Sequence, residues 1–404
     1  MNKKNTQRKF VLAKFRTVVL LLTLAILSGF IGFNLGTKKQ TQIPKTKVDL
    51  SLFWQVWSMI ETKHIDHQSI DPQEMVYGAI SGMVSSLGDP YTVFFLPEEN
   101  KVKDENLEGE FGGVGIRLGY KDGILAVVSP LDGTPAQEAG IRAGDLILGV
   151  RDNQKDIDLD TQEMSLPDAV QLIRGPEGSK ITLTLAREGT ADPFDKEITR
   201  KKISIPSLDY QWFEVNGKEI AYVHLLQFSD VMYQQWEDWV DQVVSRSEKG
   251  SLSGIILDLR NNPGGYLQGA VYVASEFIDS GVVVEQEYSS GKKDVLRVNR
   301  QGRLLNNPLV ILVNEGSASA AEILAGALQY YNRGELIGKT TFGKGTVQEP
   351  ESLPGGAGLH ITIARWLLPG DKSIDKVGIT PDVEVDDDEG VDLVLERAKE
   401  EVLK

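Results

Sequence analysis

PLVILVNEGSASAAEILAGAL, residues 308–328, decides the fold. Its opening, PLVILVN (308–314), is a continuous apolar run of the kind a strand shows when both of its faces are buried. A glycine–serine turn follows, then a small-residue apolar stretch with helical spacing from Ala320 to Tyr331. The same pattern recurs upstream. IAYVHLLQF (220–228) and GIILDLR (254–260) are further apolar strands, and helical stretches from Met232 to Ser245 and from Leu267 to Ile278 follow them. Such alternation predicts an α/β core with part of its sheet parallel, a mixed sheet. GLHITIARWLLP (358–369) reads as one more strand, and VGITPDVEV (377–385) with an acidic helical tail finishes the chain.

The turns of this core carry the chemistry. DLRNNPGG (258–265) ends a buried strand in a Pro-Gly-Gly turn, where successive amides at Gly264 and Gly265 can hold an oxyanion or simply turn the chain. In NEGSASAAE, Ser319 and Glu322 have the spacing of a capping box, and a serine at a helix start also sits beside free N–H groups and the positive end of the dipole. Ser317 lies in the same turn. Farther on, GKTTFGKGTVQ (338–348) brackets Lys344 between Gly343 and Gly345. The chain has no cysteine, and none of its four histidines lies near either motif in sequence. Nucleophilic chemistry here must therefore run on serine with lysine as base, which requires a desolvated, neutral amine. A phosphate loop at Gly338-Lys339-Thr340 is excluded by Arg333, which stands where a glycine is needed.

Residues 108–190 change to short β patterns. EFGGVGIRLGY (110–120), ILAVVSP (124–130) and KITLTLAR (180–187) read as strands, the last closing the module, and LPDAVQLIRG (166–175) as an amphipathic helix. Leu118 excludes a dinucleotide-binding reading of the glycines. The order of elements, with TPAQEAGIRAGDLIL (134–148), resembles a PDZ domain. In such a module the loop Gly113-Val114-Gly115 would hold a peptide's terminal carboxylate while the peptide adds as a strand.

The net charge of −15 conceals an asymmetry, because Lys3, Lys4, Arg8, Lys9, Lys14, Arg16, Lys38 and Lys39 all fall in a stretch free of acids. The acidic remainder speaks against nucleic-acid binding. Thr17 to Leu35, TVVLLLTLAILSGFIGFNL, is uncharged and long enough to span a bilayer. The flanking charges place the amino terminus in the cytoplasm and the body outside, as an uncleaved signal anchor. Leu52, Phe53, Val56, Trp57 and Ile60 share one helical face, and a second helix starts at Pro72. This helical pair would pack on the body or on a second copy, giving a homodimer. His64 and His67 read as a solvated helix end, so no metal and no cofactor is expected.

Taken in order from about residue 50 to 390, LGDPYTVFF (87–95), the PDZ-like segment, DLRNNPGG, NEGSASAAEI, TFGKGTVQ and GITPDVEV resemble the carboxyl-terminal processing peptidases, or tail-specific proteases. The resemblance implies a serine–lysine dyad of Ser319 and Lys344 assisted by Gln348, with Ser319 preferred over Ser317. It implies oxyanion donors at Gly265 and Ala320, with Gly264 a neighbouring possibility. It also implies a PDZ module that binds the carboxyl end of unfolded or partly folded protein substrates, with Arg174 coupling that module to Lys344. The expected organisation is a cytoplasmic tail (1–16), a transmembrane anchor (17–35), a linker and helical region (36–100), a PDZ domain (101–190) and a serine protease core (191–404). The expected function is that of a serine endopeptidase on a bacterial cell membrane, single-pass, with its catalytic body extracytoplasmic. The alternative is a catalytically silent, membrane-anchored PDZ adaptor.

Overall fold

The computed structural model describes residues 48–404, apart from 132, 156, 163, 191 and 387–390. The expected anchor at 17–35 lies outside the described residues; among those described, no helix is long and apolar enough to cross a membrane. The amino-terminal unit, which ends at Pro72, contains the helix Ser51–Lys63 and a short 3-10 turn, His67–Ser69. Along that helix Leu52, Phe53, Trp54, Val56, Met59 and Ile60 are exposed.

Gln73–Lys404 forms the second unit. Its centre is a six-stranded sheet in which Lys218–Leu225, Leu252–Asp258, Leu309–Val313, Glu335–Gly338 and Val383–Glu384 run parallel, and Leu208–Val215 adds an antiparallel edge. Alternate residues serve opposite faces. Ile255, Leu257 and Ile311 pack with the helices Asp230–Glu248, Leu267–Phe277 and Ala320–Tyr330. Ile256, Val310 and Leu312 pack with Val394, Ala398 and Val402 of the last helical segment. Burial on both faces explains why these strands read as unbroken apolar runs.

A second, five-stranded antiparallel sheet joins Val93–Phe95, Gly358–Leu367, Val282–Tyr288 and Lys293–Arg297, and Thr346–Ser352 pairs with Gly358–Leu367. Of these strands the sequence reading names Gly358–Leu367, and it passes over Thr346–Ser352 and the Val282–Arg297 hairpin. That hairpin's half-buried, charge-rich alternation lacks the long apolar run that marked the core strands.

The β-rich module has its own sheet, ordered Ile116–Lys121, Ile124–Pro130, Leu146–Asp152, Lys180–Ala186 and Phe194–Thr199, with Ile157–Asp160 paired to the third. Lys180–Ala186 is therefore not the closing strand; Phe194–Thr199 lies outside it. Ile116–Lys121 is an edge, next to the helix Leu166–Ile173. Buried Arg200 donates to the carbonyls of Leu172 and Ile173, capping that helix at its carboxyl end.

Candidate active site

Three adjacent parallel strands, Leu252–Asp258, Leu309–Val313 and Glu335–Gly338, end side by side. The loops that leave their carboxyl ends therefore converge, and they are the three segments that carry Gly264 and Gly265, Ser319, and Lys344. The carboxyl ends of strands are where open α/β sheets place ligands. Ser319 precedes the helix Ala320–Tyr330 with φ 56° and ψ −116°. A left-handed backbone at a non-glycine residue costs about 1–3 kcal/mol and persists only where the surroundings impose it.

Glu322 is the main restraint. Fully buried, its carboxylate accepts from the Ser319 amide (2.9 Å), the Thr341 hydroxyl (2.6 Å), the Gly343 amide (2.7 Å) and the Lys344 amide (3.0 Å). The expected capping box thus does more than cap a helix: one carboxylate joins the serine turn to the lysine loop. Ser317, the rival nucleophile, is fully buried; its hydroxyl donates to the Leu259 carbonyl and accepts from the Asn314 amide. It is a structural serine. Ser319 is partly exposed.

The Pro-Gly-Gly turn lies directly against the serine. A Cβ on Gly264, which has φ 99°, would sit 2.8 Å from Ser319 Cβ and 3.0 Å from the Ala320 amide nitrogen. Only glycine fits that position. The Gly264 amide donates to Asn262 Oδ1 at 2.8 Å, which removes it as an oxyanion donor. The amides of Gly265 and Ala320 have no hydrogen-bond partner among the described residues. Asn262, itself buried, also donates to the Leu225 carbonyl and so fixes the turn from within.

Lys344 is half-buried, and its ammonium nitrogen lies 5.1 Å from the Tyr91 ring centre. Burial, reinforced by the charge of Lys103, holds its pKa below the ordinary lysine value; Glu322 and Asp89 act in the opposite direction. The bracketing glycines permit the approach, since a Cβ on Gly345 would come within 2.7 Å of the Asp375 backbone. Ser319, Lys344, Gly264, Gly265, Ala320 and Gln348 all line one cavity of about 280 Å³.

Residues 219–385 match the model of peptidase family S41, residues 127–187 that of the PDZ domain, and residues 34–98 that of the activating protease CtpB N-terminal domain. The carboxyl-terminal-processing protease of Synechocystis is 33% identical over 386 residues, 94% of this chain and 88% of its own. The carboxy-terminal processing protease CtpA of Bacillus subtilis is 38% identical over 321 residues, 79% of this chain and 66% of its own. The chain belongs to peptidase family S41. Among solved structures, the photosystem II D1 C-terminal processing protease superposes with a TM-score of 0.50 at 30% identity, covering 83% of this chain and 87% of that one. The protein is thus a serine-type carboxy-terminal processing peptidase with a PDZ domain.

In this peptidase Gln348 lines the cavity, but its amide nitrogen donates to Thr346 (2.9 Å) and Thr362 (3.3 Å). Only its carbonyl oxygen is left to engage a lysine. In the PDZ domain, Gly115 has φ 79°, and a Cβ there would meet Thr134 at 2.4 Å. The Val114 and Gly115 carbonyls accept from Ala136 and Leu131, which fixes the short turn between the strand Glu110–Gly113, paired with Lys201–Ser204, and the free edge strand; the single strand expected over 110–120 is thus two. Arg174 does not reach the active-site cavity. Its guanidinium pairs with Glu105 and Asn106 of the helix Pro97–Glu108 (3.3 Å each) and stacks 4.0 Å over Phe111. It lines a separate cavity of about 950 Å³ beside that helix.

Several functional residues escaped the sequence reading. Buried Asp258 accepts from Arg260 and Tyr222, and Arg260 also pairs with Asp392, which braces the loop leading to Gly264. An acid at the end of an apolar strand was the available signal, because a buried carboxylate needs partners. His360 was expected to stand apart from the chemistry, yet it lines the Ser319 cavity. The strand Gly358–Leu367 folds it back there, a placement that distance along the chain cannot reveal.

Proposed function

We propose that the peptidase cleaves peptide bonds through a Ser319–Lys344 dyad. The observation that carries this reading is the single cavity that gathers Ser319, Lys344, Gln348 and the unpartnered amides of Gly265 and Ala320. Ser319 Oγ attacks the carbonyl carbon while neutral Lys344 takes its proton. The oxyanion rests on Gly265 and Ala320, and Lys344 returns the proton to the leaving amine. Water, deprotonated by the same lysine, then hydrolyses the acyl-enzyme. Gln348 accepts a hydrogen bond from the Lys344 amine through its free oxygen. The test is trapping: a serine-directed acylating agent adds one label, which mass spectrometry finds on Ser319. A label on Ser317, or none with activity retained, overturns the assignment.

The pH profile follows from the lysine. Activity needs the neutral amine, so kcat/KM rises with pH, and the midpoint of that limb lies below the ordinary lysine value of 10.5. Adding positive charge nearby shifts the limb further toward acid, and removing Lys103 shifts it toward alkali. A limb at or above 10.5 would exclude Lys344 as base.

The PDZ domain presents substrates by their carboxyl ends, added as a strand along Ile116–Lys121 beside the helix Leu166–Ile173. Residues Gly113, Val114 and Gly115 receive the terminal carboxylate. Arg174 couples the domain to the core indirectly, through Glu105 on a helix whose Lys103 and Leu107 line the active-site cavity. Replacing Arg174 with alanine lowers turnover of a long, PDZ-binding substrate about tenfold more than that of a short peptide. Equal effects on both would remove the coupling role. The segment 17–35 anchors the chain in a bacterial cell membrane with the catalytic body outside, as its flanking charges support. The exposed apolar face of Ser51–Lys63 supports pairing with a second copy.

A further inference from the structure

The cavity at Ser319 is chemically one-sided. Leu107, Leu267, Ile323, Val347 and Trp366 give it an apolar wall, and Lys103 and His360 add positive and hydrogen-bonding groups beside Lys344. Among the described residues, no aspartate or glutamate lines it. His360 is held by edge-to-face packing on Phe95, with ring centres 4.8 Å apart, and by strand pairing to Val93 and Pro350. Its Nε2 is buried with no hydrogen-bond partner. A buried, unpaired ring nitrogen is costly and is satisfied when a ligand arrives.

Lys103 lines both this cavity and the neighbouring 950 Å³ one, so it stands where the two meet. It is exposed on its helix and acts electrostatically on both Lys344 and His360. Burial and the charges of Lys103 and Lys344 keep the imidazole below its ordinary range; Asp104, outside the cavity wall, opposes them. A neutral imidazole still donates one N–H, and the lysine beside it supplies the charge.

We propose that Lys103 and His360 form a carboxylate-binding subsite beside Ser319, which selects substrates with an anionic group close to the cleaved bond. The reading rests on Ser319 being the nucleophile of this cavity. Two sources present the same chemistry: an Asp or Glu side chain, and the free carboxyl terminus of a short leaving segment. Lys103 supplies attraction as the chain passes from the larger cavity, and His360 Nε2 donates to the bound oxygen.

The test compares kcat/KM for peptide pairs cleaved by the full-length enzyme. One arm replaces a glutamate flanking the cleaved bond by glutamine; the other amidates the terminus of a short leaving segment. The wild-type enzyme prefers the carboxylate member in one arm by about tenfold, the size of one charge-assisted hydrogen bond, and that arm names the source. The ratio falls to near one in Lys103→Gln and in His360→Gln, and Lys103→Glu inverts it in favour of a lysine-bearing peptide. Because each variant is scored by a ratio, a general loss of activity cancels. Equal rates for both members of both pairs in the wild type, or a preference that survives both substitutions, would overturn the subsite while leaving the dyad intact. Absence of cleavage by the wild-type enzyme would overturn the dyad, and the subsite with it.

Discussion

Ser319→Ala lowers peptide cleavage by at least about 10⁴-fold, and Lys344→Ala by about 10²–10⁴-fold, with the fold retained in both. The serine loss is the larger because no second nucleophile can take over: Ser317 is committed to Leu259 and Asn314. The two substitutions differ in stability. A lysine held below its ordinary pKa means that the unfolded chain binds more protons in the interval between the two values. Its burial therefore penalises the folded state most below the folded pKa, and the penalty is relieved as pH rises toward 10.5. Lys344→Met removes that penalty, so near neutral pH it raises the melting temperature while abolishing activity. Ser319→Ala keeps it. Steady-state kinetics on an unfolded protein substrate, with thermal unfolding of each variant, checks both claims. Residual activity within tenfold of wild type in either alanine variant would contradict the dyad.

Glu322→Ala gives the second large effect, through the backbone. The carboxylate satisfies four donors, two of them in fully buried hydrogen bonds, and removing it leaves them unpaired at a cost of about 3–5 kcal/mol. The left-handed conformation of Ser319 loses its restraint in the same step, and misplacement of the nucleophile by about 1 Å lowers kcat about 10²-fold. Glu322→Gln is the sharper probe. It preserves volume but converts one acceptor oxygen into an NH₂ group that faces donors, so kcat falls while the melting temperature drops less than in the alanine variant. Loss confined to KM, with kcat unchanged, would show that Glu322 does not position the dyad.

Much of the candidate site was legible because its proposed chemistry sits in short motifs with little conformational choice. Gly264 is glycine because Ser319 and Ala320 leave no room for a Cβ, and Gly345 is glycine because Asp375 leaves none. The core strands were legible because two-sided burial makes them apolar throughout. What was not legible is contact between distant segments. Glu322 gave the signal of a helix cap, and nothing local shows that the same oxygens also bind Thr341, Gly343 and Lys344. His360 sits in an alternating strand, and only pairing with Val93 and Pro350 delivers it to the cavity. Gly264 and Gly265 are neighbours in a turn, and the Asn262 side chain alone distinguishes the occupied amide from the free one.

The convergence of three strand ends has a consequence for the peptidase's own biogenesis. A peptidase is itself an unfolded chain when it is made. The proposed nucleophile, base and oxyanion donors lie on loops that leave three strands of one sheet, and Glu322 can join the serine turn to the lysine loop only once the Glu335–Gly338 strand lies beside Leu309–Val313. On the proposed dyad, hydrolytic power therefore depends on the assembled sheet, and a chain that has not yet folded lacks it.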